Sequence, residues 1–121
     1  MCIPANDMAQ LLVRRGVHLA ERLAAKLVVL HIAQPGYSRG HHEAMKALEL
    51  ARALGAQVET RSAVSLADAM IACAHEVGAT QIVLGAPPSS WIRERLQGSV
   101  VRDVLRRSRN VDVHVVRRPS A

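Results

Sequence analysis

Short runs with the length of strands alternate along this chain with longer segments of helical period, and few folds admit that alternation. Leu27 to Ala33 is apolar throughout except for His31, the pattern of a strand covered on both faces. Gln57 to Ser62 reads as a weaker strand and Thr80 to Gly85 as a second buried one. In the closing segment Val111, Val113 and Val115 alternate with Asp112 and His114, as on a half-exposed edge. Met1 to Ile3 reads as the stub of a first strand.

Four helical segments lie between these runs. Met8, Leu11, Leu12, Gly16, Leu19, Ala20 and Leu23 mark one face of the first, from about residue 7 to 25, with Gly16 letting the helix sit close to the sheet. Ala44, Ala47, Leu48, Ala51 and Leu54 define the second, ended by Gly55. Ser65, with Asp68 three residues on, predicts a capped start for the third, which Gly78 closes. Ser99 to Ser108 is the fourth. The alternation predicts parallel βαβ units: an α/β, doubly wound, Rossmann-like sheet of five parallel strands in the order 3-2-1-4-5, with helices on both faces.

The side chains available suit such a fold. With no Phe, one Tyr and one Trp in 121 residues, the core has to be built from Val, Leu, Ile and Ala in a single domain. Cys2 and Cys73 sit among apolar neighbours and read as reduced, buried thiols rather than a disulfide. No apolar run approaches the ~20 residues of a membrane span, and no signal peptide is read, so a cytoplasmic setting is expected. The net charge of +6 is spread over outward helical positions such as Arg14, Arg15, Arg22, Arg102, Arg106 and Arg107. No aromatic residues interleave with these charges to stack bases, which argues for an acidic protein surface as partner and against nucleic acid.

One stretch carries chemistry. Ile82 to Gly85 is a strand breaking at a glycine, followed by a polar loop with Trp91 and then by Gly98-Ser99-Val100-Val101 opening a helix. A glycine-preceded helix start presents free backbone N–H groups and the positive end of the helix dipole, a geometry that suits a phosphate. Here it would lie at the carboxyl end of a parallel strand, where open α/β sheets bind ligands. Trp91, with Arg93 and Arg95, is a candidate contact surface. Catalysis is not expected: there is no Gly-x-Ser-x-Gly elbow, no P-loop lysine and no paired carboxylates in a loop. His41 and His42 are adjacent and lack a companion at ligand spacing, so no metal site is read, and His31 reads as a satisfied, partly buried histidine.

In its order of elements and in this loop the chain resembles a universal stress protein domain, a fold grouped with the adenine-nucleotide alpha hydrolase-like proteins. That family's nucleotide loop runs glycine, two residues, glycine, nine residues, glycine, then Ser or Thr. Gly85, Pro88, Gly98 and Ser99 stand at those positions, with proline in place of the second glycine. The resemblance implies nucleotide contacts at Gly85, Pro88, Gly98, Ser99 and Val100, with the base near Ile32. No cofactor is required, and ATP or another adenine nucleotide would bind weakly. Pro88 removes a backbone N–H, and Pro4 stands where the ATP-binding branch has an aspartate.

More narrowly, Leu12-Val13-Arg14-Arg15-Gly16-Val17-His18-Leu19-Ala20-Glu21-Arg22-Leu23, Ser89-Ser90-Trp91 and Val111-Asp112-Val113-His114-Val115-Val116 are similar to the cytoplasmic universal stress protein domain of KdpD-type osmosensitive potassium-channel sensor histidine kinases. Some of those sensors are associated with cyclic di-AMP through a serine pair and a later Phe-containing motif; Ser89 and Ser90 are present, a Phe is not. The implied role is sensory or regulatory, for potassium and osmotic signalling in a two-component system, with residues 1–121 a piece of a longer kinase and the first strand truncated. The resemblance also implies a homodimer paired through the fifth strand, and contacts with other domains of the parent kinase. A ligand-free interaction domain, or a stand-alone ATP-binding universal stress protein, are the alternatives.

Overall fold

The computed structural model describes residues 1–4, 6–33, 40–85 and 102–116. Its elements follow one another as α1 (Ala9–Leu23), β1 (Val28–Ala33), α2 (His41–Ala53), β2 (Gln57–Ser62), α3 (Leu66–Val77), β3 (Gln81–Gly85) and β4 (Asp112–Val116), with residues 102–107 also helical.

Local chemistry accounts for the helix ends. The Asn6 side chain accepts a hydrogen bond from the Met8 N–H at 2.8 Å and turns the chain into α1. Ser65 caps α3 as its spacing to Asp68 predicts, its Oγ accepting from the Asp68 N–H at 3.2 Å. Gly55 and Gly78 follow α2 and α3 at φ +90° and +65°, where a Cβ would be strained. At the end of α1 the same left-handed position is held by Ala24, at φ 52°.

Two apolar clusters cover β1 from opposite sides. Ala9 and Val13 of α1 pack with Ala44, Ala47, Leu48 and Ala51 of α2 and with Val29 on one side. Leu30 and Ile32 turn the other way, to Met70 and Cys73 of α3, Ile82, Leu84 and Val104. This two-sided burial is why Leu27 to Ala33 carries no alternation. The alanines on α2 let the two helices approach closely. β2 is the opposite case, a half-exposed strand whose Arg61 pairs with Glu59 at 3.5 Å and with Glu76 of α3.

The sheet departs from expectation. The four strands form two separate two-stranded parallel sheets, β1 with β2 (Val28 opposite Gln57) and β3 with β4 (Gln81 opposite Asp112), and not a single five-stranded sheet in the order 3-2-1-4-5. The reason lies in the stub. Cys2 makes one isolated parallel bridge to Leu30, and its N–H bonds the Val83 carbonyl at 3.1 Å. Pro4 follows with no N–H to extend a ladder. The segment read as a fifth strand is β4, the partner of β3, so among the described residues there is no fifth strand to carry the expected homodimer and that interface is withdrawn. Among the described residues no helix is long and apolar enough to cross a membrane.

Candidate functional site

Ile32 stands next to the last residue of β1 and Gly85 ends β3, and Ile32 shares one buried cluster with Leu84, the neighbour of Gly85. Ile32 is buried, 6% exposed, in the cluster on the α3 side. Gly85 is the last residue of β3 and is half-buried. Its backbone is not left-handed; what it provides is close approach. A Cβ at Gly85 would lie 3.0 Å from Cδ1 of Leu12, so α1 packs directly over the end of β3. Pro88, Trp91, Arg93, Arg95, Gly98, Ser99 and Val100 lie outside the described residues.

His31, beside Ile32, differs from its sequence reading. It is buried, and among the described residues its Nδ1 has no hydrogen-bond partner, which departs from the satisfied histidine the sequence suggested. Burial holds its pKa below the ordinary value for histidine, and the neighbouring charge of His41, the first residue of α2, lowers it further. The ring is therefore neutral near pH 7. Nothing in the sequence marks the unmet Nδ1, because a histidine inside an apolar run looks the same with or without a partner.

The other end of the strands holds what sequence reasoning missed. Two cavities of about 560 Å³ each open there. One runs between α1 and α3 and is lined by Gly16, Cys2 and Cys73 among others. Gly16 does provide the close approach read from its position, but to a side chain: a Cβ there would meet Cε of Met1 at 2.5 Å. Both cysteines are free, and burial pushes the Cys2 thiol up to about 11 and the Cys73 thiol upward as well, so they are protonated near pH 7 and poor nucleophiles.

Comparison with known proteins agrees with this architecture. The family model for the universal stress proteins matches residues 1–117. The sensor protein KdpD of Mycobacterium tuberculosis (strain CDC 1551 / Oshkosh) is 33% identical over 124 aligned residues, covering all of this chain and 14% of that protein. The chain thus spans about a seventh of the length of the curated relative it matches. Among solved structures, a universal stress protein in complex with cAMP superposes with a TM-score of 0.70 at 33% identity, over 97% of this chain and 93% of that one. A universal stress protein from Archaeoglobus fulgidus, at 21% identity and a TM-score of 0.66, covers 97% of this chain and 43% of its own, and shows the fold alone. On this evidence the chain belongs to the universal stress protein family, and it is homologous to the universal stress protein domain of KdpD-type sensor kinases.

Proposed function

We propose that this chain is a non-catalytic sensory or regulatory domain of a longer KdpD-type sensor kinase for potassium and osmotic signalling. The observation that carries the reading is whole-chain similarity to one seventh of a sensor protein. In this reading the domain informs the rest of the longer molecule, and phosphate transfer belongs to its other parts.

Its ligand, in this reading, is an adenine nucleotide held at the carboxyl ends of β1 and β3. The base would lie near Ile32, the chain would leave β3 at Gly85, and the backbone of Gly98, Ser99 and Val100 would meet the phosphate. Three things support it: the glycine-preceded helix start read from the sequence at Gly98-Ser99, the close packing of Leu12 over Gly85, and the 33% identical universal stress protein that was solved with cAMP. Pro88 removes one N–H from the loop, which places ATP among the weaker ligands.

The test is to purify the chain without added nucleotide, denature it, and identify any small molecule released by chromatography and mass spectrometry. A preparation that retains no nucleotide should acquire one on incubation with cAMP or ATP. Absence of adenine nucleotide under both conditions would favour the ligand-free interaction domain. Labelling of the protein by radiolabelled ATP would show that the domain is an enzyme.

A further inference from the structure

The outward face of α1 carries charge that is nearly all of one sign. At about 100° per residue, Arg14, His18 and Arg22 step round the helix by roughly 40° each, and Arg15 comes back within about 20° of Arg22. All four are exposed, on the face turned away from the buried Ala9, Leu12, Val13 and Gly16. Lys26, also exposed, follows just past the end of the helix, and Glu21 is the one acid in α1. From Arg14 to Arg22 the stripe runs about 12 Å. The cations on the other side of β1 are interleaved with acids. Arg61 pairs with Glu59 and Glu76, and Arg107 pairs with Asp68. Asp103 follows Arg102 in the helical stretch whose Val104 is buried in the α3-side cluster. Among the described residues, Arg14, Arg15, Arg22 and Lys26 make no ion pair.

We propose that this face of α1 is a docking surface for an anionic lipid bilayer, on which the helix lies flat through Arg14, Arg15, Arg22 and Lys26. The face lacks what a specific protein partner would need. Leu23, the one large apolar residue of α1 that is exposed, lies about 180° round the helix from Arg14 and lines the cavity toward α3. Protein interfaces concentrate their energy in buried aromatic and aliphatic anchors, and charges at a wet rim add little. A plane of headgroups needs no anchor, because each Lys or Arg near it strengthens partition by about fivefold. With nothing apolar to insert, the domain rests on the headgroups and leaves when salt screens them. α2, packed beside α1, exposes Lys46 and Arg52 with Glu49 between them, and so adds little. The proposal rests neither on the sensory reading nor on the nucleotide site.

The test is sedimentation of the full chain with phosphatidylcholine vesicles, pure or with about a third of the lipid as phosphatidylglycerol. The chain is expected to bind the anionic vesicles, to ignore the neutral ones, and to be released at about 0.5 M salt. Arg14→Gln, Arg15→Gln and Arg22→Gln together should lower the partition coefficient by roughly a hundredfold, and lysine at the same three positions by no more than about twofold. These side chains are exposed, so both variants should melt within about 2 °C of the parent. Arg102→Gln, Arg106→Gln and Arg109→Gln remove the same charge elsewhere and should cost no more than about fivefold. A loss there equal to the loss at α1 overturns the proposal, since net charge alone would then bind the vesicles. Equal binding to neutral vesicles, binding that survives salt, or no binding at all overturns it too. Polyglutamate at the same total charge should release less than about half of the bound chain; full release would assign the face to acidic proteins and overturn the bilayer.

Discussion

Substituting Gly85 by alanine tests how the carboxyl end of β3 is built. The added methyl would sit 3.0 Å from Cδ1 of Leu12, whereas carbon pairs rest at about 3.5–4.0 Å. Leu12 is fully buried, so relief requires it to move by roughly half an ångström inside a packed interior. Overpacking of this kind costs about 1–3 kcal/mol. Against it, alanine loses less conformational freedom on folding than glycine where φ is ordinary, which returns about 0.4–1 kcal/mol. The net expectation is a loss of about 0.5–2 kcal/mol. Leu12→Ala alone should cost about 2–5 kcal/mol through the cavity it leaves. In the double variant the new methyl enters the space the leucine vacated, so the combined loss should fall short of the sum by about 1 kcal/mol or more. Urea unfolding followed by far-ultraviolet circular dichroism, with the slopes checked for constancy, measures all three. A stable Gly85→Ala chain, or strict additivity, would refute the claim that Leu12 closes over this glycine.

Ala24→Gly should stabilise the chain by about 0.5–1 kcal/mol, because Ala24 ends α1 in the left-handed region where a Cβ is strained; thermal unfolding reads it directly. For His31 the sign follows from a folded-state pKa held below the unfolded value of about 6.5. Between the two values the unfolded chain binds the extra proton, so stability is fully present above pH ~6.5 and falls as pH drops through that value toward the folded pKa. His31→Leu should flatten this part of the pH profile, and an unchanged slope in that variant would assign the dependence to another group.

How much was legible beforehand depended on whether a residue's signal was local. Ser65 with Asp68, and the glycines after α2 and α3, specify helix ends through bonds and dihedrals within a few residues, and the structure has them as read. The continuous run at Leu27 to Ala33 announced two-sided burial for the same reason. The assembly of the sheet was not legible. It turned on whether three residues before Pro4 could bond both β1 and β3 along a full ladder, and Cys2 makes one link to each. The unmet Nδ1 of His31 and the cavity along Val28 and Gln81 are likewise products of distant segments meeting, to which no local pattern corresponds. Of the candidate site, Ile32 lies near the end of β1 and Gly85 ends β3, while the residues from Pro88 to Val100 rest on sequence and resemblance.

The most direct test of a nucleotide-sensing role is calorimetric titration of the purified chain with cAMP and with ATP, repeated on a Gly98→Val variant. On the proposed reading, a side chain at Gly98 would crowd the phosphate and restrict the turn expected from the sequence. The account predicts saturable binding of at least one of these nucleotides, weaker for ATP, and loss of that binding in Gly98→Val with the fold retained by circular dichroism. Affinity unchanged by the substitution would place the ligand elsewhere, and no heat of binding with either nucleotide would contradict the nucleotide-sensing role itself.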